Sequence, residues 1–166
     1  MDSRICLLVL VFGITGEVTG ECPSGWIGHG GSCYFFSNHN SNWYDAGFTC
    51  EAIHSKRVAI DSEDENTFLA GVLSHFRGAF RSDTFWTEGT AEGSSDGSYK
   101  WATSQDPVTF THWGTDQPNA TVGDCVVLRL DRTWQTRDCH RDYGFICEIN
   151  RPQTDCNPID GASVIG

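Results

Sequence analysis

The stretch Trp113-Gly114-Thr115-Asp116-Gln117-Pro118-Asn119-Ala120-Thr121-Val122-Gly123-Asp124-Cys125 decides how this chain is read. It closes a long segment, beginning after Trp101, that has little regular hydrophobic pattern. A loop of that length inside a compact domain is usually functional or disordered. This one runs straight into a strand-like run, Cys125-Val126-Val127-Leu128. Similar short runs surround it: Thr84-Phe85-Trp86, Ser98-Tyr99-Lys100-Trp101, Thr133-Trp134 and Tyr143-Gly144-Phe145-Ile146-Cys147. Gly, Ser and Asp separate them, which is the texture of a loop-rich antiparallel sheet.

Upstream the hydrophobic period changes from two to about 3.6. Ser41 is expected to cap a helix running through Trp43, Ala46, Phe48 and Cys50 to about Ile53. The apolar stretch Val58-Ala59-Ile60 then precedes Ser62-Glu63-Asp64-Glu65, the signature of a capping box. The helix it opens carries Phe68, Leu69, Val72, Leu73 and Phe76 as one stripe, read as a core face. The fold class is therefore α+β, with two helices early and antiparallel sheets after them.

The 166 residues, with 22 acidic and 11 basic side chains, suit one domain and exclude a nucleic-acid partner, which needs a positive surface. Arg4 followed by the apolar run Ile5 to Ile14, with Val18 and Gly20 as small cleavage-site residues, has the order of a secretory signal peptide over residues 1–20. That run is too short to span a bilayer, and no later stretch is apolar enough, so the chain is expected to be secreted with no membrane span. The binding domain is expected over 21–150 and a loose tail over 151–166. Cleavage removes Asp2, Glu17 and Arg4, taking the net charge from −11 to −10. It also removes Cys6 and leaves Cys22, Cys33, Cys50, Cys125, Cys139, Cys147 and Cys156. Outside the cell these read as disulfides with one cysteine left over, and the arithmetic alone leaves the pairing open.

Several landmarks then fall in a known order. They are Cys22-Pro23-Ser24-Gly25-Trp26, Ser32-Cys33-Tyr34, the Trp43, Ala46 and Cys50 helix, and Ser62 with Glu65-Asn66. Phe85-Trp86-Thr87-Glu88-Gly89, Trp113, Gln117-Pro118-Asn119, Asp124-Cys125, Trp134, Cys139 and Gly144-Phe145-Ile146-Cys147-Glu148 follow. Over residues 22–149 this resembles a long-form C-type lectin-like domain. The resemblance implies a disulfide-stapled C-type lectin-like fold with the bridges Cys22–Cys33, Cys50–Cys147 and Cys125–Cys139. Cys156 is then left for an intermolecular disulfide, giving a disulfide-linked homodimer, or for capping by a small molecule.

The resemblance also implies that the long loop binds carbohydrate through a calcium ion, with a cis bond at Pro118 turning Gln117 and Asn119 toward it. Metal ligands are expected at Gln117, Asn119 and Asp124, and sugar contacts at Gln117, Asn119, Asp124 and Gln135. The family's usual acids are thinned: Gln117-Pro118-Asn119 has no carboxylate, Gly123 stands where one is usual, and the family's Trp-Asn-Asp strand reads Trp134-Gln135-Thr136. Asp116, Asp124 and Asp138 are the nearby acids that could compensate. An auxiliary calcium site would fall near Ala91 and Asp96, where Glu88, Glu92 and Asp96 read instead as a solvated acidic loop. Asn119-Ala120-Thr121 is an N-glycosylation sequon, and a glycan there would exclude ligation by Asn119. Trp86, Trp101 and Tyr99 read as core; Trp113 and Trp134 flank the loop in structural positions.

No enzyme constellation stands out. Gly93-Ser94-Ser95-Asp96-Gly97 matches a hydrolase pattern but lacks the strand-turn-helix context and reads as a turn. The histidines at 29, 39, 54, 75, 112 and 140 never take the paired spacing of a zinc helix, and residues 61–65 lack the EF-hand glycine. The expected function is a secreted lectin binding glycans, microbial surface glycans of innate recognition among them, with calcium. A calcium-independent module binding a protein or matrix partner is the alternative, and an acidic matrix protein a third.

Overall fold

The computed structural model describes residues 20–151. The expected leader (apart from Gly20) and the tail beyond Arg151, with Cys6 and Cys156, lie outside the described residues. The elements are β1 (Ile27–His29), β2 (Ser32–Phe36), α1 (Trp43–Ala52), β3 (Lys56–Arg57), α2 (Glu63–His75), β4 (Thr84–Thr90), β5 (Lys100–Trp101), β6 (Cys125–Arg129), β7 (Trp134–Arg137) and β8 (Gly144–Asn150). The strand order is β1-β2-β8-β4-β6-β7, with β3 also paired to β8 and β5 to β4.

One pairing departs from the antiparallel expectation. β4 and β8 run parallel, with Phe85 opposite Gly144 and Trp86 opposite Phe145. After the β6–β7 hairpin the chain returns past both strands and enters between β2 and β4, in the direction of β4. Gly144 permits the close approach, since a Cβ there would lie 2.5 Å from Phe85 Cε1.

Alternation along these central strands builds two cores. Phe85, Leu128 and Ile146 face one side, where they meet Leu69 and Leu73 of α2 together with Val58, Ile60 and Trp134. Trp86, Val127 and Phe145 face the other, against Trp43, Ala46 and Cys50 of α1. A sheet covered on both faces explains why every residue of β4 is buried. Within α2, Leu69 and Leu73 are fully buried, whereas Phe76 is the C-cap and is 46% exposed, so the core stripe is narrower than its sequence pattern.

The helix caps are half as expected. Ser62 Oγ accepts the Glu65 N–H at 3.2 Å, while the Glu65 carboxylate reaches the Asp61 N–H at 3.0 Å. The first helix is capped by Asn42 and not by Ser41. Ser41 spends its backbone N–H and C=O on Tyr143, and Asn42 Oδ1 accepts the Asp45 N–H at 2.9 Å. Three bridges close the frame: Cys22–Cys33, Cys50–Cys147 and Cys125–Cys139. The second joins α1 to β8 across 97 residues, which in the loop-entropy picture stabilises by about 4–5 kcal/mol.

Candidate functional site

β7 ends the strand order, so one of its edges needs a cover if its backbone groups are to stay paired. The long loop between β5 and β6, residues 102–124, provides it. His112 O accepts from Trp134 N at 2.8 Å, and Gly114 N donates to Trp134 O at 2.9 Å. Two residues along the edge, side chains take over. Thr136 N donates to Gln117 Oε1 at 2.8 Å, and Arg137 Nη1 donates to Thr136 O at 2.8 Å.

Thr136 is the hub of this corner and has no exposed surface. Its hydroxyl lies 3.0 Å from Gln117 Oε1 and 2.9 Å from Asn119 O, and it accepts the Asn119 N–H at 3.0 Å. Asn119 Oδ1 accepts from Thr121 N at 3.0 Å and Thr121 Oγ1 at 2.6 Å. A backbone N–H can only donate, so these bonds fix both amides with their oxygens inward. The Gln117 and Asn119 NH2 groups therefore face outward and have no protein partner among the described residues. Gln135 Oε1 is taken by Arg137 Nη2. The Gln117–Pro118 bond is cis.

This donor set can be compared with what calcium requires, six to eight oxygens including several carboxylates. The carbonyls of Gln117 and Asn119 are already engaged by threonine donors, and the oxygens at Gln135 and Thr136 by a guanidinium. A carboxylate at 123 is sterically barred: a Cβ on Gly123 would lie 2.2 Å from the Arg137 carbonyl and 2.3 Å from Asp138 N, at a φ of +152°. Asp124 and Asp138 line a separate cavity of about 300 Å³ with Tyr44, Glu92 and His140, and neither Gln117 nor Asn119 lines it. Asp116 is exposed in the left-handed region, at φ +58°. Among the described residues no group of three or more His, Cys, Asp or Glu is placed to hold a metal. The structure thus brings Gln117 and Asn119 together on Thr136, ties Gln135 to that corner only through Arg137, and places Asp124 on a different cavity, and the corner as arranged does not fit a calcium ion.

The auxiliary acids also separate. Ala91 is buried, and Asp96 closes an exposed turn, its carboxylate held down to about 2 by bonds from Ser98 and Ser94. Glu88 is not solvated: it is fully buried in β4 and accepts from Thr103 N at 3.1 Å and from the Thr103 hydroxyl, anchoring the start of the long loop. Arg57 supplies positive charge nearby; burial lowers it to about 10, against support from Glu88 and Glu51, and it stacks 3.8 Å over Trp43. In the cavity, Tyr44 donates to Glu92 at 2.5 Å, and that bond raises the phenol to about 12.

The aromatics serve the frame. Trp86, Trp101 and Trp134 are buried, Trp134 Nε1 donates to Asn66 Oδ1 at 2.8 Å, and half-buried Trp113 packs edge-on to Trp134. The residues that sequence patterns did not single out are Thr136 as a hub, Arg137 and buried Glu88. Alternation along Phe85-Trp86-Thr87-Glu88 was the one available hint for Glu88.

The family model described as lectin C-type domain matches residues 39–149. Lectin BRA-3 of Megabalanus rosa is 31% identical over 165 residues, covering 94% of each chain. Human C-type lectin domain family 17, member A, is 30% identical over 128 residues, 76% of this chain but 32% of the longer protein. Among solved structures, the mouse scavenger receptor C-type lectin carbohydrate-recognition domain aligns at TM-score 0.69 and 28% identity, over 80% of this chain and 99% of its own.

Proposed function

The chain belongs to the C-type lectin family, in which the mouse scavenger receptor domain it resembles is a carbohydrate-recognition domain, and on that premise we propose that it is a secreted lectin whose long loop binds glycans without calcium in its principal site. The observation that carries this reading is the hydrogen bonding around Thr136. The side-chain oxygens of Gln117, Asn119 and Gln135 and the carbonyl of Thr136 are each held by a donor of this chain, and the loop is ordered by those bonds, while Asp124 lines a different cavity. What remains on the outside is a set of amide N–H donors and a guanidinium, which suits sugar oxygens as acceptors.

The apolar leader over residues 1–20 supports secretion, residues 21–150 form the binding module, and Cys156 in the 151–166 tail is the candidate for a disulfide-linked homodimer. The Asn119 sequon stands in opposition to the binding site, because a glycan on Asn119 Nδ2 would remove one of its donors. The calcium-assisted alternative requires Gln117 and Asn119 to exchange their threonine partners for the ion and Arg137 to leave the corner. Binding of the secreted protein to a glycan array, in calcium and in chelator, tests the choice. Retention in chelator, with loss on Gln117→Ala, is expected. Loss of binding in chelator alone would overturn the proposal.

A further inference from the structure

We infer that the saccharide taken by this corner is acidic, carrying a carboxylate or sulfate that Arg137 receives beside the outward amides of Gln117, Asn119 and Gln135. This deepens the calcium-free lectin reading and rests on it.

The first support is the one-sided chemistry of the surface. The side-chain oxygens of Gln117, Asn119 and Gln135 all accept internal bonds. Their NH2 groups face outward without a protein partner among the described residues, so these three side chains offer donors and no free acceptor. Anionic oxygens accept only, and fit such a surface better than a hydroxyl, which must also place its own proton.

The second support is Arg137 itself. A guanidinium has five N–H donors in a planar fork, and here one goes to Thr136 O and one to Gln135 Oε1. Those two bonds fix the plane and leave three donors. No carboxylate of the described residues lies within salt-bridge distance of Arg137, although acidic side chains outnumber basic ones two to one in this chain. A half-buried, oriented cation without a counter-ion is a carboxylate or sulfate receptor, because paired charge-assisted bonds are stronger than neutral ones. The carboxylates of Asp124, Asp138 and Glu92 line the neighbouring cavity, so they exclude an anion from that side and confine it to the Arg137 side.

The test is an NMR titration of the isotope-labelled secreted protein in chelator with three probes: methyl glucuronide, N-acetylglucosamine 6-sulfate and methyl glucoside. The expected result is that one or both acidic probes shift the side-chain signals of Gln117, Asn119, Gln135 and Arg137, and bind at least about tenfold more tightly than the glucoside. Whichever acidic probe shifts them identifies carboxylate or sulfate as the group received. Arg137→Lys keeps the charge without the fork and is expected to lose most of that preference; Arg137→Gln is expected to lose all of it, each with its backbone spectrum otherwise native. Equal binding of the glucoside at the same residues would overturn the acidic preference and leave calcium-free glycan binding standing. Shifts at these residues only when calcium is restored would overturn both.

Discussion

Replacing Thr136 with valine removes one hydroxyl at the point on which the long loop turns. Valine fills nearly the same volume, and Thr136 has no exposed surface, so water cannot replace the missing group without opening the corner. Gln117 Oε1 keeps the residue 136 N–H at 2.8 Å, and Asn119 O keeps the Val122 N–H at 3.0 Å, so both acceptors retain a donor. The Asn119 N–H loses its acceptor outright. A donor stranded in this way costs about 1–3 kcal/mol. The valine side chain is easier to desolvate than a hydroxyl, which offsets part of that and leaves a net loss of about 1–2 kcal/mol. For a domain of this size the melting temperature falls by several degrees. Urea denaturation of wild type and Thr136→Val gives the energy, and hydrogen exchange at the Asn119 amide reports the corner locally. The expected result is a lower midpoint with unchanged slope and faster exchange at Asn119. A variant as stable as wild type within about 0.5 kcal/mol, with unchanged exchange at Asn119, would refute the role given to the hydroxyl.

Three further outcomes follow from the same geometry. Gly123→Ala places a methyl group 2.2 Å from the Arg137 backbone at a φ unsuited to alanine, and is expected to cost at least about 2 kcal/mol in urea unfolding. The double substitution Cys125→Ser, Cys139→Ser opens a closure of 14 residues and is expected to lose about 3 kcal/mol, again read by urea unfolding of the oxidised protein. The Tyr44 phenol, raised to about 12 by its bond to Glu92, favours the folded state below its ordinary value near 10, and that contribution is lost as pH rises through about 12. Ultraviolet titration of Glu92→Gln is expected to bring this one tyrosine back toward 10.

What was legible in the sequence was local chemistry. Ser62 and Glu65 announce α2 because both cap bonds lie within four residues of each other. The choice between Ser41 and Asn42 was not legible, because it depends on Tyr143 pairing with Ser41 from the far end of the chain. The parallel match of β4 with β8 is likewise non-local: no period in either strand encodes the direction of its neighbour. Glu88 reads as a surface acid because buried glutamates are rare; in the fold Thr103 satisfies one of its carboxylate oxygens, Arg57 acts on it electrostatically, and the other oxygen is buried without a hydrogen-bond partner. The three disulfide pairings came from family resemblance and not from counting. At the loop, the sequence displayed the amides and the thinned acids. It could not display which way the amides point, since that is fixed by Thr121, which is near in sequence, and by Thr136, which is far.

Calcium added to chelator-treated protein, with the side-chain amide signals of Gln117, Asn119 and Gln135 and the backbone amide of Thr136 followed by NMR, tests the calcium-free corner most directly. Those signals are expected to stay in place at millimolar calcium while an acidic saccharide still moves them; saturable calcium-induced shifts at all four residues would contradict it.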